Sequence, residues 1–174
     1  MYSTSINKDR KEIFVEFEFD TNNTKYLSKF KFDTGAPLTT LPLNELPILA
    51  TDTSNTVVDF TKHISMHGII SNDGGCNSKN SFEVMYHPCR ISKINIGDIV
   101  IRDAVVWVTR DTRVKAKLLG VDIIGKLYTY IGDGMLLLGS NKSEIVRYLS
   151  QKEEHKPTLL GELPDINLGG FNNG

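Results

Sequence analysis

Apolar and charged residues alternate along Lys11-Glu12-Ile13-Phe14-Val15-Glu16-Phe17-Glu18-Phe19. Ile13, Val15, Phe17 and Phe19 share one face and the glutamates turn to water, which is the period of a half-buried strand. Asp20-Thr21-Asn22-Asn23-Thr24 is dense in turn formers, so a hairpin follows. Residues 26–32 form the returning strand. Pro37, Pro42 and Pro47 punctuate the next stretch, which reads as short strand and loop. Residues 56–60 and 63–70 are extended. Ser71-Asn72-Asp73-Gly74-Gly75 is a turn, and residues 82–96 are extended again, interrupted by Pro88. Gly97-Asp98 turns the chain into Ile99-Val100-Ile101. Ala104-Val105-Val106-Trp107-Val108 is apolar on both faces and predicts a central, buried strand. A short helix is expected over 122–127. A last hairpin, 128–131 with 135–138, turns at Gly132-Asp133-Gly134. Many short strands joined by regular turns predict an all-β, barrel-like fold.

Beyond Gly139 the pattern changes. Asn141 with Glu144 three residues on resembles a helix N-cap pairing, and Ile145, Tyr148 and Leu149 then share a helical face. Pro157 closes that helix, and residues 158–174, rich in Gly, Asn and Pro, read as a mobile tail. The expected organisation is one domain over 11–139 and an extension over 140–174.

Composition narrows the function classes. The 174 residues are 40% hydrophobic and 24% charged, ordinary for a globular chain. A net charge of -1 without a basic stripe argues against nucleic acid as a partner. No apolar run approaches the length of a membrane span, and Met1-Tyr2-Ser3-Thr4-Ser5 lacks the apolar core of a signal peptide. A cytoplasmic protein is therefore expected, with Cys76 and Cys89 as free thiols.

The chemistry concentrates at Phe30-Lys31-Phe32-Asp33-Thr34-Gly35-Ala36, where an apolar strand runs straight into Asp-Thr-Gly. Together with the later Leu118-Leu119-Gly120, this resembles the retropepsin-like aspartic proteases, single-domain dimeric relatives of pepsin. The shared order is apolar-apolar-Asp-Thr/Ser-Gly-Ala, a flap hairpin, a segment like Ile94-Asn95-Ile96-Gly97, a buried strand, then apolar-apolar-Gly and a short helix. It covers about Lys11 to Gly139. The resemblance implies a closed barrel of the acid-protease type and an endopeptidase. The chain holds one such motif and the chemistry needs two carboxylates, so it also implies a homodimer. Two acidic residues follow the Ala in viral members and an Arg follows the apolar-apolar-Gly. Here Pro37, Leu38 and Val121 stand in those places, so both ends of that ion pair are missing together.

The resemblance assigns roles. Asp33 from each subunit supplies one carboxyl of a pair that shares a proton and activates water. The Thr34 hydroxyl reaches across the two-fold axis, and Gly35 lets backbone approach substrate without a Cβ clash. Ala36, with Gly74 and Gly75 in the flap candidate around 71–75, lies against an extended polypeptide substrate. In pepsin-type enzymes a hydroxyl residue at the place of Ala36 bonds the carboxylate. Without it, an activity optimum closer to neutral pH is expected.

Plainer readings stand beside these. Asp33 and Gly35 could serve only turn geometry. His63, Ser65 and His67 share a strand face and, with Cys76, His87 and Cys89, could surround zinc. Their spacing matches no compact metal motif, so surface histidines are the simpler account, and neither metal nor cofactor is expected. Cys76 beside Gly74-Gly75 could be a redox-sensitive thiol. Gly-x-Ser-x-Gly is absent, which argues against a serine hydrolase. The charged run 152–156 reads as a solvated helix end. Leu159-Leu160-Gly161-Glu162-Leu163-Pro164 could occupy a cleft as an inhibitory segment or be plain linker. A functional rival to the protease is a non-catalytic dimer of the same fold that binds peptides or assembles a complex.

Overall fold

In a computed structural model, residues 1–6, 9, 12–21, 24–46, 56–69 and 81–154 are described. Their elements run β1 (Tyr2–Ser5), β2 (Phe14–Thr21), β3 (Thr24–Phe32), β4 (Thr40–Pro42), a single 3-10 turn (Leu43–Glu45), β5 (Thr56–Val58), β6 (Ile64–Ile69), β7 (Ser81–Ile96), β8 (Ile99–Thr109), β9 (Leu118–Leu119), α1 (Val121–Ile124), β10 (Tyr128–Gly132), β11 (Met135–Gly139) and α2 (Lys142–Glu154). The described residues are mostly β, as the alternation predicts. No helix among them is long and apolar enough to cross a membrane.

One sheet runs β2-β3-β9-β4-β8-β7-β5, and β2 also pairs with β7, at Glu18↔Asn95 and Phe19↔Ile94. The β2–β3 hairpin has the expected alternation, with Val15, Phe17 and Phe30 fully buried and the Phe17 and Phe30 rings stacked 4.4 Å apart. These residues join Leu41, Ile91, Ile94, Ile96, Val106, Val108 and Leu119 in the main core.

β7 and β8 form the longest ladder, and both change faces midway. In β8 the inward residues are Ile99 and Ile101, then Ala104, Val106 and Val108. In β7 they are Cys89 and Ile91, then Ile94 and Ile96. The register is unbroken, with Ile91↔Ala104 and Lys93↔Arg102. The rotation is located at Asp103, whose φ of 51° lies in the left-handed region. The hairpin thereby turns a corner while keeping apolar side chains inside on both sides of it. The apolar run 104–108 is central as expected, although Val105 points outward and is 37% exposed.

β7 runs through Pro88 without the expected break. Pro88 lies opposite Trp107, but the Trp107 N–H donates to the Thr39 carbonyl at 2.9 Å, away from β7. The Pro88 carbonyl accepts from Asp59 N–H at 2.9 Å. The missing proline N–H therefore removes no bond from the β7–β8 ladder.

A second sheet has the order β1-β11-β10. Its hairpin turns at Asp133 and Gly134, with φ of 52° and 72°, the conformation that the right-handed strand twist favours for a two-residue loop. β1 lies upstream of the expected domain start, and its polar Ser-Thr-Ser gave no pattern. It is held by four paired residues on β11 and by the Tyr2 hydroxyl, which accepts from Glu16 N–H at 3.0 Å. Leu136, Leu137 and Leu138 are all buried because the core covers one face of β11 and α2 packs on this sheet. The α2 cap forms as predicted: Asn141 Oδ1 accepts from Glu144 N–H at 3.1 Å, and the Glu144 carboxylate reaches back to Ser140 N–H at 3.2 Å. Ile145 is buried, with Tyr148 and Leu149 partly so. The tail beyond Glu154, including 159–164, lies outside the described residues.

Candidate active site

β3 ends on Phe32, which points into the core, so the next residue turns towards the surface. That residue is Asp33, and it is half-buried. Its backbone is fixed by the neighbouring strand. β3 and β9 pair in parallel at Lys31↔Leu118 and Phe32↔Leu119, and the Asp33 N–H donates to the Leu119 carbonyl at 3.0 Å. The chain then makes a tight turn in which the Ala36 N–H donates back to the Asp33 carbonyl at 3.2 Å. Inside this turn the Gly35 N–H donates to Asp33 Oδ1 at 2.9 Å. A Cβ on Gly35 would lie 3.2 Å from that oxygen, so the approach is tight. Turn geometry and carboxylate placement are thus one arrangement: the residue types that make the turn also aim and hold the acid.

Residues 36–39 continue around the corner where β9 enters α1. The Val121 N–H donates to the Ala36 carbonyl at 2.9 Å and the Asp122 N–H to the Pro37 carbonyl at 3.3 Å. Gly120 sits beneath this loop, where a Cβ would lie 2.4 Å from the Leu38 carbonyl carbon and oxygen. Leu118-Leu119-Gly120 and Asp33-Thr34-Gly35-Ala36, about 85 residues apart in sequence, are therefore two halves of one corner. The helix that follows is shorter than the expected 122–127.

Two members of the corner were not legible in the sequence. Thr39 is fully buried. Its Oγ1 accepts from Gly120 N–H at 3.0 Å and donates to Asp122 Oδ1 at 2.7 Å. The same Asp122 oxygen accepts from Ile123 N–H at 2.9 Å. The only signal was a pair of hydroxyl residues, Thr39 and Thr40, between Leu38 and Leu41, with nothing to mark which of the two serves the corner.

The remaining sequence candidates fall as follows. Thr34 and Gly35 are exposed at the tip of the turn. Ala36 is 7% exposed, so its side chain packs inward while its carbonyl holds Val121. Gly74, Gly75 and Cys76 lie outside the described residues. His63, Ser65 and His67 do share an exposed face. His87 is not a surface histidine: it is 8% exposed, and its Nδ1 donates to the Lys62 carbonyl at 2.8 Å. A carbonyl only accepts, so that nitrogen carries the proton. Cys89 is fully buried, and burial pushes its thiol up to about 12, far from a reactive thiolate. Among the described residues no three His, Cys, Asp or Glu side chains are placed to hold a metal.

Comparison of the sequence with protein-family profiles finds no match, and comparison with curated proteins finds none either. The solved structures that match include a retropepsin-like aspartic protease from Rickettsia conorii, at 19% identity and a TM-score of 0.50, over 78% of this chain and 87% of that one. The fold of this chain is thus similar to that of a retropepsin-like aspartic protease.

Proposed function

We propose that the chain is an aspartic endopeptidase that works as a homodimer, each copy contributing Asp33. The observation that carries this is the placement of Asp33: a half-buried carboxylate, oriented by Gly35 N–H, at the turn where strand β3 meets the β9–α1 corner. Amide hydrolysis needs a base to take a proton from water and an acid to polarise the carbonyl. One carboxyl cannot do both at once. The other carboxylate at this corner, Asp122, is engaged by Thr39 and Ile123 and serves the loop. The second acid is therefore Asp33 of another copy. Two such groups at short range cannot both ionise comfortably, so they share one proton. The ionised member then activates water while the protonated member polarises the scissile carbonyl, with no covalent intermediate. The substrate is a polypeptide laid in extended form across the paired turns, with Gly74 and Gly75 in the covering flap. On this reading the ring of pairings that β2 and β7 complete is the closed barrel of the acid-protease fold.

Asp33→Asn tests the proposal. An amide oxygen still accepts from Gly35 N–H, so folding and self-association should be unchanged. Cleavage of a peptide library should fall by at least about a hundredfold. Sedimentation of the unmodified protein should show a dimer. Retained cleavage in Asp33→Asn rules the mechanism out. A dimer that binds peptides and never cleaves them supports the non-catalytic rival.

A further inference from the structure

We propose that Thr39 and Asp122 are positioning residues that set where the Asp33 turn sits, acting as a latch between that turn and α1. Its meaning for catalysis rests on the protease reading above, but the latch itself is a claim about the fold. The turn is pinned at its start by Asp33 N–H on the Leu119 carbonyl. At its far end, six residues on, Thr39 makes three bonds. Its hydroxyl takes Gly120 N–H and gives its proton to Asp122, and its carbonyl takes Trp107 N–H. Leu119 and Gly120 are adjacent, so both ends of the turn are tied to one point, where β9 ends and α1 begins. The path between the ties has no slack, because the Val121 and Asp122 amides hold the Ala36 and Pro37 carbonyls.

Asp122 completes the device. A hydroxyl has one proton, so Thr39 can accept from Gly120 only while its own proton is directed elsewhere. Asp122 Oδ1 supplies that acceptor, and with Ile123 N–H on the same oxygen its own rotamer is fixed. Loss of either partner leaves a polar group without its bond. For the fully buried Thr39 and the Gly120 N–H beneath the turn this is a costly state. The turn then relaxes, and the Asp33 carboxylate loses its fixed distance from any mate. Proton sharing depends steeply on that distance.

The test uses the full chain and four variants. Thr39→Val keeps the shape and removes the hydroxyl. Thr39→Ser restores it. Asp122→Ala removes the acceptor, and Asp122→Asn restores it, since both observed bonds fall on one oxygen. Amide hydrogen exchange is read at Val121 and Asp122, with the β7–β8 ladder as an internal reference. For a peptide that the unmodified protein cleaves, kcat and KM are read separately. Thr39→Val and Asp122→Ala should speed exchange at those two amides by about tenfold or more while the ladder stays protected. They should lower kcat by a similar factor with KM within about twofold. Thr39→Ser and Asp122→Asn should recover both readouts. Unchanged exchange in Thr39→Val overturns the proposal, as does exchange that rises equally throughout the ladder. Asp122→Asn behaving like Asp122→Ala also overturns it. If Thr39→Val does not fold, Asp122→Ala, at a half-exposed position, carries the same expectations. If the unmodified protein cleaves nothing, the protease reading fails and the exchange data still decide the latch.

Discussion

Replacing Gly120 by Ala is the most direct challenge to the corner. The added Cβ would lie 2.4 Å from the carbonyl carbon and oxygen of Leu38 and 2.9 Å from the Ala36 oxygen. All three contacts are backbone, so no side chain can rotate away. An ordinary contact begins near 3.4 Å, so the Leu38 carbonyl must retreat by about 1 Å. Such overpacking costs about 1–3 kcal/mol. The same displacement stretches the bonds from the Val121 and Asp122 amides to the Ala36 and Pro37 carbonyls, at about 1 kcal/mol each. The expected loss is therefore about 3–5 kcal/mol, a large share of the stability of a domain of this size. Urea unfolding of Gly120→Ala measures it directly. Activity should fall further than the folded fraction does, because the displaced segment carries Asp33. A variant within about 0.5 kcal/mol of the unmodified protein, with full activity, would refute the claim that the loop and β9 are in enforced contact.

Three further outcomes follow from the same structure. In a Cys76→Ser background, Cys89 should resist thiol reagents at about pH 8 until the chain unfolds. Its folded value of about 12 lies above the unfolded value of about 8.5, so its contribution to stability is present below that lower value and declines as the pH rises towards the upper one; immediate labelling of the native protein would contradict this. Asn141→Ala should cost about 1 kcal/mol and raise amide exchange at Glu144, whose N–H loses its acceptor; equal exchange in both proteins would show that the cap does not form in solution. Because Ala36 brings no hydroxyl to the candidate carboxylate, cleavage should peak closer to neutral pH than in pepsin-type enzymes, and a maximum near about pH 3 would refute that.

What the sequence disclosed, and what it withheld, follows from the range of the interactions. β2, β3 and the last hairpin were legible because one residue's face predicts the next, and because Asp-Gly turns have a local conformational cause. β1 was not, because its polar residues are held by pairing with β11, 130 or more positions away. β4 was legible only as a short strand somewhere in the proline-punctuated stretch 37–47, because all three of its residues are buried and show no alternation to place it. The Asp103 corner was half legible. The inward set slips by one position between Ile101 and Ala104, and two consecutive polar residues, Arg102 and Asp103, fill the slip. Pro88 misled because a proline signals a missing donor without saying which side of the strand needed one. Asp33 was found from its local turn chemistry, whereas Thr39 and Asp122 act through partners more than 80 residues distant.

The residues that depart from the viral pattern gain a physical account at the same corner. Pro37 and Val121, at the positions where the viral enzymes that the sequence resembles carry an acid and an arginine, are both exposed. An exposed ion pair there would contribute little and would weaken with salt. Here the two chain segments are instead joined through main-chain donors: Val121 N–H to the Ala36 carbonyl, Asp122 N–H to the Pro37 carbonyl, and Gly120 N–H to the Thr39 hydroxyl. Those bonds need no charge on the side chains at positions 37 and 121. The constraint in this chain falls on three residues. Gly120 must lack a Cβ, and Thr39 must offer an oxygen that both accepts and donates. Asp122 must present an acceptor at the start of α1. With those three met, the acid at position 33 is held in place from beneath, with no charge needed at positions 37 and 121.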